Sequence, residues 1–139
     1  MKTFSLSETA IDASTLLREL ESDRIGAIVT FEGRVRDHND GRTVNGLTYQ
    51  AYAELAEAEG AKIIEEARAR FEISQAICVH RIGELKLGEL AVWVGVGAAH
   101  RDAAFAACRY IMDEVKARVP IWKREHYAQG EAEWLHPSA

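Results

Sequence analysis

Residues 89–127 read ELAVWVGVGAAHRDAAFAACRYIMDEVKARVPIWKREHY, and the change of period inside this stretch decides the fold. From Glu89 to Val96 apolar side chains alternate, with Leu90, Val92, Val94 and Val96 on one face and Trp93, Gly95 and Gly97 on the other, as a strand requires. The glycines beside Trp93 predict that another backbone comes close there. From Arg101 to about Val119 the period becomes helical, until Pro120 removes an amide donor and stops the helix. A strand over Ile121 to Tyr127 follows, and another over Glu133 to Leu135. No glycine-rich loop joins the first strand to the helix, so a doubly wound nucleotide-binding sheet is disfavoured.

Working outward, Gln75 to Ile82 predicts a strand that meets Glu89 to Val96 through a polar turn around Lys86, Leu87 and Gly88. Residues 53–71 carry Ala56, Gly60, Ile63, Ile64, Ala67 and Phe71 on one narrow arc at helical spacing. Ile25 to Val35 alternates as a strand with Glu32, Arg34 and Arg36 on its polar face. HNDGRTVN, residues 38–45, reads as an Asp-Gly turn or loop, with Leu47 to Tyr52 returning as that strand's hairpin partner. Near the start, Thr3 to Leu6 suits a short strand. Asp12 suits the cap of a helix through Glu21, with Leu16, Leu17 and Leu20 inward. Helices set among hairpins predict an α+β fold with antiparallel strands and about three helices. The chain has 139 residues, 47% of them hydrophobic and 28% charged, which suits a single domain over 1–139.

Charge and composition narrow the function. A net charge of −5 is the wrong sign for gripping a phosphate backbone, so no nucleic acid partner is expected. The longest apolar stretch, Leu90 to Ala99, falls short of the roughly 20 residues that span a bilayer. MKTFSLSETAID lacks an apolar signal-peptide core, so a cytoplasmic protein without a membrane partner is expected. Cys78 and Cys108 form no CxxC and sit near no paired histidines; they read as buried thiols, with no metal site and no cofactor encoded. No nucleophile elbow is present, and Glu54, Glu57, Glu65 and Glu66 read as the wet face of a helix. His80 reads as a satisfied core or interface residue, His126 and His136 as solvent-facing.

Against this acidic background, Lys116, Arg118, Lys123 and Arg124 are opposed within residues 115–126 by Glu125 alone, a basic island suited to a small anion or a partner's carboxylate. A solvated helix end whose cations complement the dipole would give the same pattern. On a helical wheel Ala104, Phe105, Cys108, Ile111, Met112, Val115 and Val119 form one apolar stripe. Lys116 falls about 20° past its edge, beside Phe105 and Met112, so its stem lies along apolar surface. If its ammonium converges with that of Lys123, the pair forms an anion clamp. His100 and Arg101 open the same helix, where free amides also favour an anion, or simply make an ordinary polar start. Arg101 and Lys116 are separated by roughly 22 Å of helix, so a single site using both must be built across a homodimer. Arg34, Arg36 and His38 make a third basic cluster.

These residues also fall into a familiar series. Phe31-Glu32-Gly33, Val35-Arg36, His38-Asn39, Leu47, Tyr49 and Tyr52 come first, then His80-Arg81-Ile82-Gly83, Leu85 and Gly88-Glu89. His100-Arg101, Ala104-Phe105, Asp113, Lys116 and the run Pro120-Ile121-Trp122-Lys123-Arg124-Glu125 complete it. Over residues 25–134 the series closely resembles the large, catalytic subunit of molybdopterin synthase (MoaE type). The resemblance implies an α/β hammerhead-type α+β fold and a homodimer within a heterotetramer, with a small ubiquitin-like sulfur-carrier subunit (MoaD type) at each end. It implies a sulfurtransferase that moves sulfur from the carrier's C-terminal thiocarboxylate to cyclic pyranopterin monophosphate, forming the dithiolene of molybdopterin in molybdenum cofactor biosynthesis. Carried over by motif, Lys116 and Lys123 resemble the catalytic lysines. Phe31, Arg36 and Met112 resemble the pocket lining, and His100 and Arg101 of the neighbouring subunit the phosphate grip. Thr48 and Gln50 stand where many members have glutamates, and Trp134 is followed only by Leu135, His136, Pro137, Ser138 and Ala139, with no lysine or arginine. A non-catalytic dimeric module binding a ubiquitin-like partner or an anionic metabolite is the alternative, and a Schiff-base lysine enzyme a further one.

Overall fold

The computed structural model describes residues 2–130, 132 and 134–135. The chain runs β1 (Phe4–Ser7), α1 (Ala13–Leu20), β2 (Ala27–Arg34), β3 (His38–Asn39), β4 (Arg42–Ala51), α2 (Ala53–Arg70), β5 (Gln75–Arg81), β6 (Gly83–Lys86), β7 (Leu90–Ala98), α3 (Arg101–Arg118), β8 (Ile121–Tyr127) and β9 (Trp134–Leu135). This is the expected α+β fold. One sheet has the order β1-β5-β7-β2, and within it only β1 and β5 run parallel. The other has the order β3-β4-β8-β9, with β6 paired to β4, and is antiparallel throughout.

The elements form for local reasons and are then sorted by burial. Asp12 caps α1 by accepting the Thr15 amide at 3.2 Å and the Thr15 hydroxyl at 2.7 Å. Helices α2 and α3 cover one face of the first sheet, where Ile63, Ile64, Ile111 and Val115 pack with Val92, Val94 and Val96. On the opposite face Leu20 of α1 meets Ile77, Val79 and Trp93. Val35, Leu47, Leu85 and Ala91 form a smaller cluster that ties the two sheets together.

Several expectations are corrected. Leu47 to Tyr52 is not the hairpin partner of the Ile25 to Val35 strand. Leu47 to Ala51 belong to β4, which pairs with β3, β6 and β8, and Tyr52 is the N-cap of α2, while β2 pairs with β7. A register shift between Gly33 and Arg34 marks the end of β2, and Val35, its amide donating to the Glu89 carbonyl at 3.0 Å, packs in the cluster between the sheets. Asp40 and Gly41, with φ of 51° and 76°, then turn the chain tightly from β3 into β4. The same irregularity puts Leu90 on the Trp93 side rather than beside Val92. The connection after β5 is also more than a turn, because it contains β6. Beside Trp93 the space at Gly95 is filled by the Trp93 ring and Leu20, and that at Gly97 by Ile25: side chains, not a backbone. Leu17 is 37% and Phe105 61% exposed; Ala107 replaces Phe105 in the core. The buried line of α3 runs through Ala104, Cys108, Ile111 and Val115, which leaves Phe105, Met112 and Lys116 together along its margin.

Candidate functional site

The two sheets meet at a cavity of about 160 Å³ lined by Phe31, Gly33, Arg34, Tyr49, His80, Ala91, Val92, Met112, Lys116 and Lys123. Strand register explains this gathering of residues so distant in sequence. In the first sheet His80 lies opposite Val92, and Val92 opposite Gly33, in one row across three strands. In the second sheet Tyr49 lies opposite Lys123. The margin of α3 supplies Met112 and, in its last turn, Lys116. Pro120 follows the helix end and β8 starts at Ile121, so Lys123 returns to the same hollow on the inward face of its strand.

Space in the cavity depends on a glycine. A methyl group at Gly33 would sit 2.7 Å from Val92 Cγ1 and 3.4 Å from Phe31 Cε1. Charge is the second feature. Arg34 is occupied, donating to Glu32 Oε1 at 2.8 Å and to the Gly88 carbonyl at 3.2 Å. The side-chain amines of Lys116 and Lys123 form no hydrogen bond or ion pair among the described residues, and Lys116 is exposed while Lys123 is half-buried. Two free ammonium groups on a partly apolar hollow form a receptor for an anion or for an oxygen that becomes anionic.

Tyr49 and His80 form the floor. Their rings meet edge to face at 4.8 Å. Burial, reinforced by the Glu125 charge, holds the Tyr49 phenol protonated by raising its pKa to about 12. Burial keeps His80 neutral by lowering its pKa to about 4, against the hydrogen bond to the Arg81 carbonyl. A carbonyl only accepts, so His80 Nδ1 carries the proton and donates to it at 2.8 Å.

Of the residues singled out in the sequence, Phe31, Met112, Lys116 and Lys123 come together here. Arg36 does not line the cavity; it lies just beyond β2 and donates to Asn39 Oδ1 at 3.0 Å. Asn39 Nδ2 in turn donates to the buried Glu125 carboxylate at 2.7 Å. His100 and Arg101 stand at the other end of α3, in a separate cavity of about 510 Å³ with Gly26, Ala27, Ala99 and Asp102. His126 is half-buried and hydrogen-bonded to the Thr48 hydroxyl at 2.9 Å, not turned to solvent; His136 lies outside the described residues. Glu66 is also not a free wet-face carboxylate, since Arg118 binds it. His80 is the buried, hydrogen-bonded residue that its place in the strand predicts, and it also lines the cavity. The only sequence signal for it is a polar ring ending the apolar run Ala76 to Val79. Cys78 and Cys108 are buried, and burial raises both thiols, Cys108 to about 11, so neither is poised as a sulfur nucleophile.

Comparison with known proteins gives one answer. The sequence model of the family described as MoaE protein matches residues 6–118. A molybdopterin synthase catalytic subunit from Thermoplasma volcanium is 45% identical over 129 residues, spanning 93% of this chain and 94% of that one. One from Pyrococcus abyssi is 52% identical over 112 residues, spanning 81% and 76%. Among solved structures, molybdopterin synthase from Staphylococcus aureus matches with a TM-score of 0.90 at 33% identity, covering 96% of this chain and 97% of that one. A chain of the complex of subunits 1 and 2 of molybdopterin-converting factor from Helicobacter pylori shares the fold, with a TM-score of 0.76 at 21% identity, covering 91% and 90%.

Proposed function

We propose that this chain, which belongs to the MoaE family of molybdopterin synthase catalytic subunits, is a sulfurtransferase that uses Lys116 and Lys123 to move sulfur from a carrier's thiocarboxylate to cyclic pyranopterin monophosphate. The observation that carries this reading is the shared cavity, in which both amines stand without an intramolecular partner. A transferase with both thiols buried needs an external sulfur donor, and the C-terminal thiocarboxylate of a small ubiquitin-like subunit is one. In this reading the tail's sulfur bonds to the pterin to give a thioester, water attacks the acyl carbon, and the acyl C–S bond breaks to leave sulfur on the pterin and a carboxylate on the carrier. Lys116 faces that carbonyl and stabilises the oxyanion of the hydrolysis. Lys123 polarises the pterin or assists proton transfer. Phe31 and Met112 supply apolar walls, and Arg36 acts from outside the cavity, through Asn39 and Glu125, on the strand that carries Lys123.

His100 and Arg101 lie at the opposite end of α3, so they serve the site of a second copy in a homodimer, where they would bind the substrate phosphate. The edge position of β2 and its exposed Ile28, with Ala27 beside that second cavity, support such a face.

The test is to incubate the protein with thiocarboxylated partner and cyclic pyranopterin monophosphate and to measure dithiolene. Lys116→Ala and Lys123→Ala should each lower the rate by about a hundredfold or more, with unchanged thermal unfolding. Mixing Lys116→Ala with Arg101→Ala chains should recover about a quarter of the wild-type rate, because half of the sites in a mixed dimer are intact. No product from well-folded wild type, or full activity in either lysine variant, refutes the reading.

A further inference from the structure

The cavity contains a group that neither the sulfur chemistry nor the family comparison assigns. Arg34, Lys116 and Lys123 can only donate hydrogen bonds, and the Tyr49 hydroxyl can do either. His80 is different. Its Nδ1–H is committed to the Arg81 carbonyl, which leaves Nε2 as a lone-pair acceptor. Nε2 has no hydrogen bond among the described residues, and it is not sealed in the interior either, because Arg81 Nε is the only such sealed, unpaired side-chain atom there.

The ring is held firmly. Its edge-to-face contact with Tyr49 fixes one side. The carbonyl that orients it belongs to Arg81, whose guanidinium is tied to Glu89 at 2.7 Å and to the Glu8 and Glu84 carbonyls at 3.4 Å. The charges facing the ring are cations, Arg34 from β2, Lys116 from α3 and Lys123 from β8, with the protonated phenol of Tyr49 from β4. Burial holds the imidazole neutral, so the ring remains an acceptor beside these cations.

We propose that His80 is a substrate-contacting specificity residue, whose Nε2 accepts a hydrogen bond from a ring N–H of the reduced pterin while the lysines engage the acceptor and anionic groups. A ligand offering only acceptors would leave Nε2 unpaired in a partly dry site, so the cavity selects a molecule with both kinds of group. This rests on the function reading above and deepens it.

Two substitutions separate a ligand contact from a structural one. His80→Asn retains an amide donor near Nδ1 for the Arg81 carbonyl and loses the acceptor in the cavity. His80→Gln reaches the Nε2 position with a carbonyl oxygen. Binding of cyclic pyranopterin monophosphate to the full chain is measured by calorimetry, alongside thermal unfolding and dithiolene turnover with the thiocarboxylated partner. Expected is binding about tenfold weaker in His80→Asn and within about threefold of wild type in His80→Gln, with KM following the same order. Wild-type binding in His80→Asn, or equal weakening in both variants, overturns the proposal. A wild type that binds the pterin but forms no dithiolene refutes the function reading instead, and the binding order of the two variants still decides the role of His80.

Discussion

Lys116 and Arg118 are two residues apart in the last turn of α3, yet they belong to opposite regimes. Arg118 turns toward α2, where Glu66 takes two of its N–H groups at 2.6 and 2.9 Å, Glu59 another at 2.9 Å, and Glu114 of its own helix a further one at 3.1 Å. Tyr110 donates to the same Glu66 carboxylate at 2.7 Å. Lys116 has no such partner and opens on the cavity. A charge count treats the two cations alike. Their surroundings make one a fastening between helices and leave the other available to a ligand, because a charge already matched by carboxylates has little left to offer an anion.

The sharpest break of this contrast is to remove each cation in turn. Arg118→Ala should lower the melting temperature by about 5 °C, since three carboxylates lose their counter-charge, whereas Lys116→Ala should move it by about 1 °C at most. Calorimetry checks both, and equal shifts would erase the distinction.

Acid titration sharpens it further. The hydrogen bonds from Arg118, with that from Tyr110, lower the Glu66 pKa from 4.5 to about 2. A lowered folded-state pKa means that the stabilisation is complete above the unfolded value and is lost as pH falls. The melting temperature of wild type should therefore exceed that of Glu66→Gln above about pH 4.5, and the gap should close as pH falls toward about 2. A gap that widens with acid would show that Arg118 does not set the state of Glu66.

The smallest expected effect is on the cavity side. Gly33→Ala sets a methyl against the buried, β-branched Val92 and against Phe31 and narrows the hollow, so KM for the pterin should rise about threefold while the melting temperature falls by a few degrees. An unchanged KM would mean that substrate does not reach the Gly33 wall.

Much of this molecule is legible in its primary structure, and the parts that are share a property: they depend on neighbours close in the chain. The Asp12 cap, the extent of α3 to Pro120, the buried arc of α2 and the alternation of β7 follow from the 3.6 and 2.0 periods and from capping chemistry. Lys116 beside Met112 was readable for the same reason, since both lie on one margin of one helix. The motif series Pro120 to Glu125 carried Lys123, and the family comparison agrees with that series as a whole.

What the chain did not disclose depends on contacts between distant segments. Periodicity says which residues share a face and not which strand lies alongside, so β4 could be paired with β2 on paper while the fold pairs it with β8 and β6. The neighbourhood of Tyr49 and Lys123, the entry of His80 into the cavity through Val92 and Gly33, and the capture of Arg118 by Glu59 and Glu66 arise only once both sheets and helices have packed. Local composition determined the elements and supplied the two amines. Tertiary packing chose their companions, because burial and ion pairing are set by whatever occupies the adjacent space, however far away it stands in the sequence.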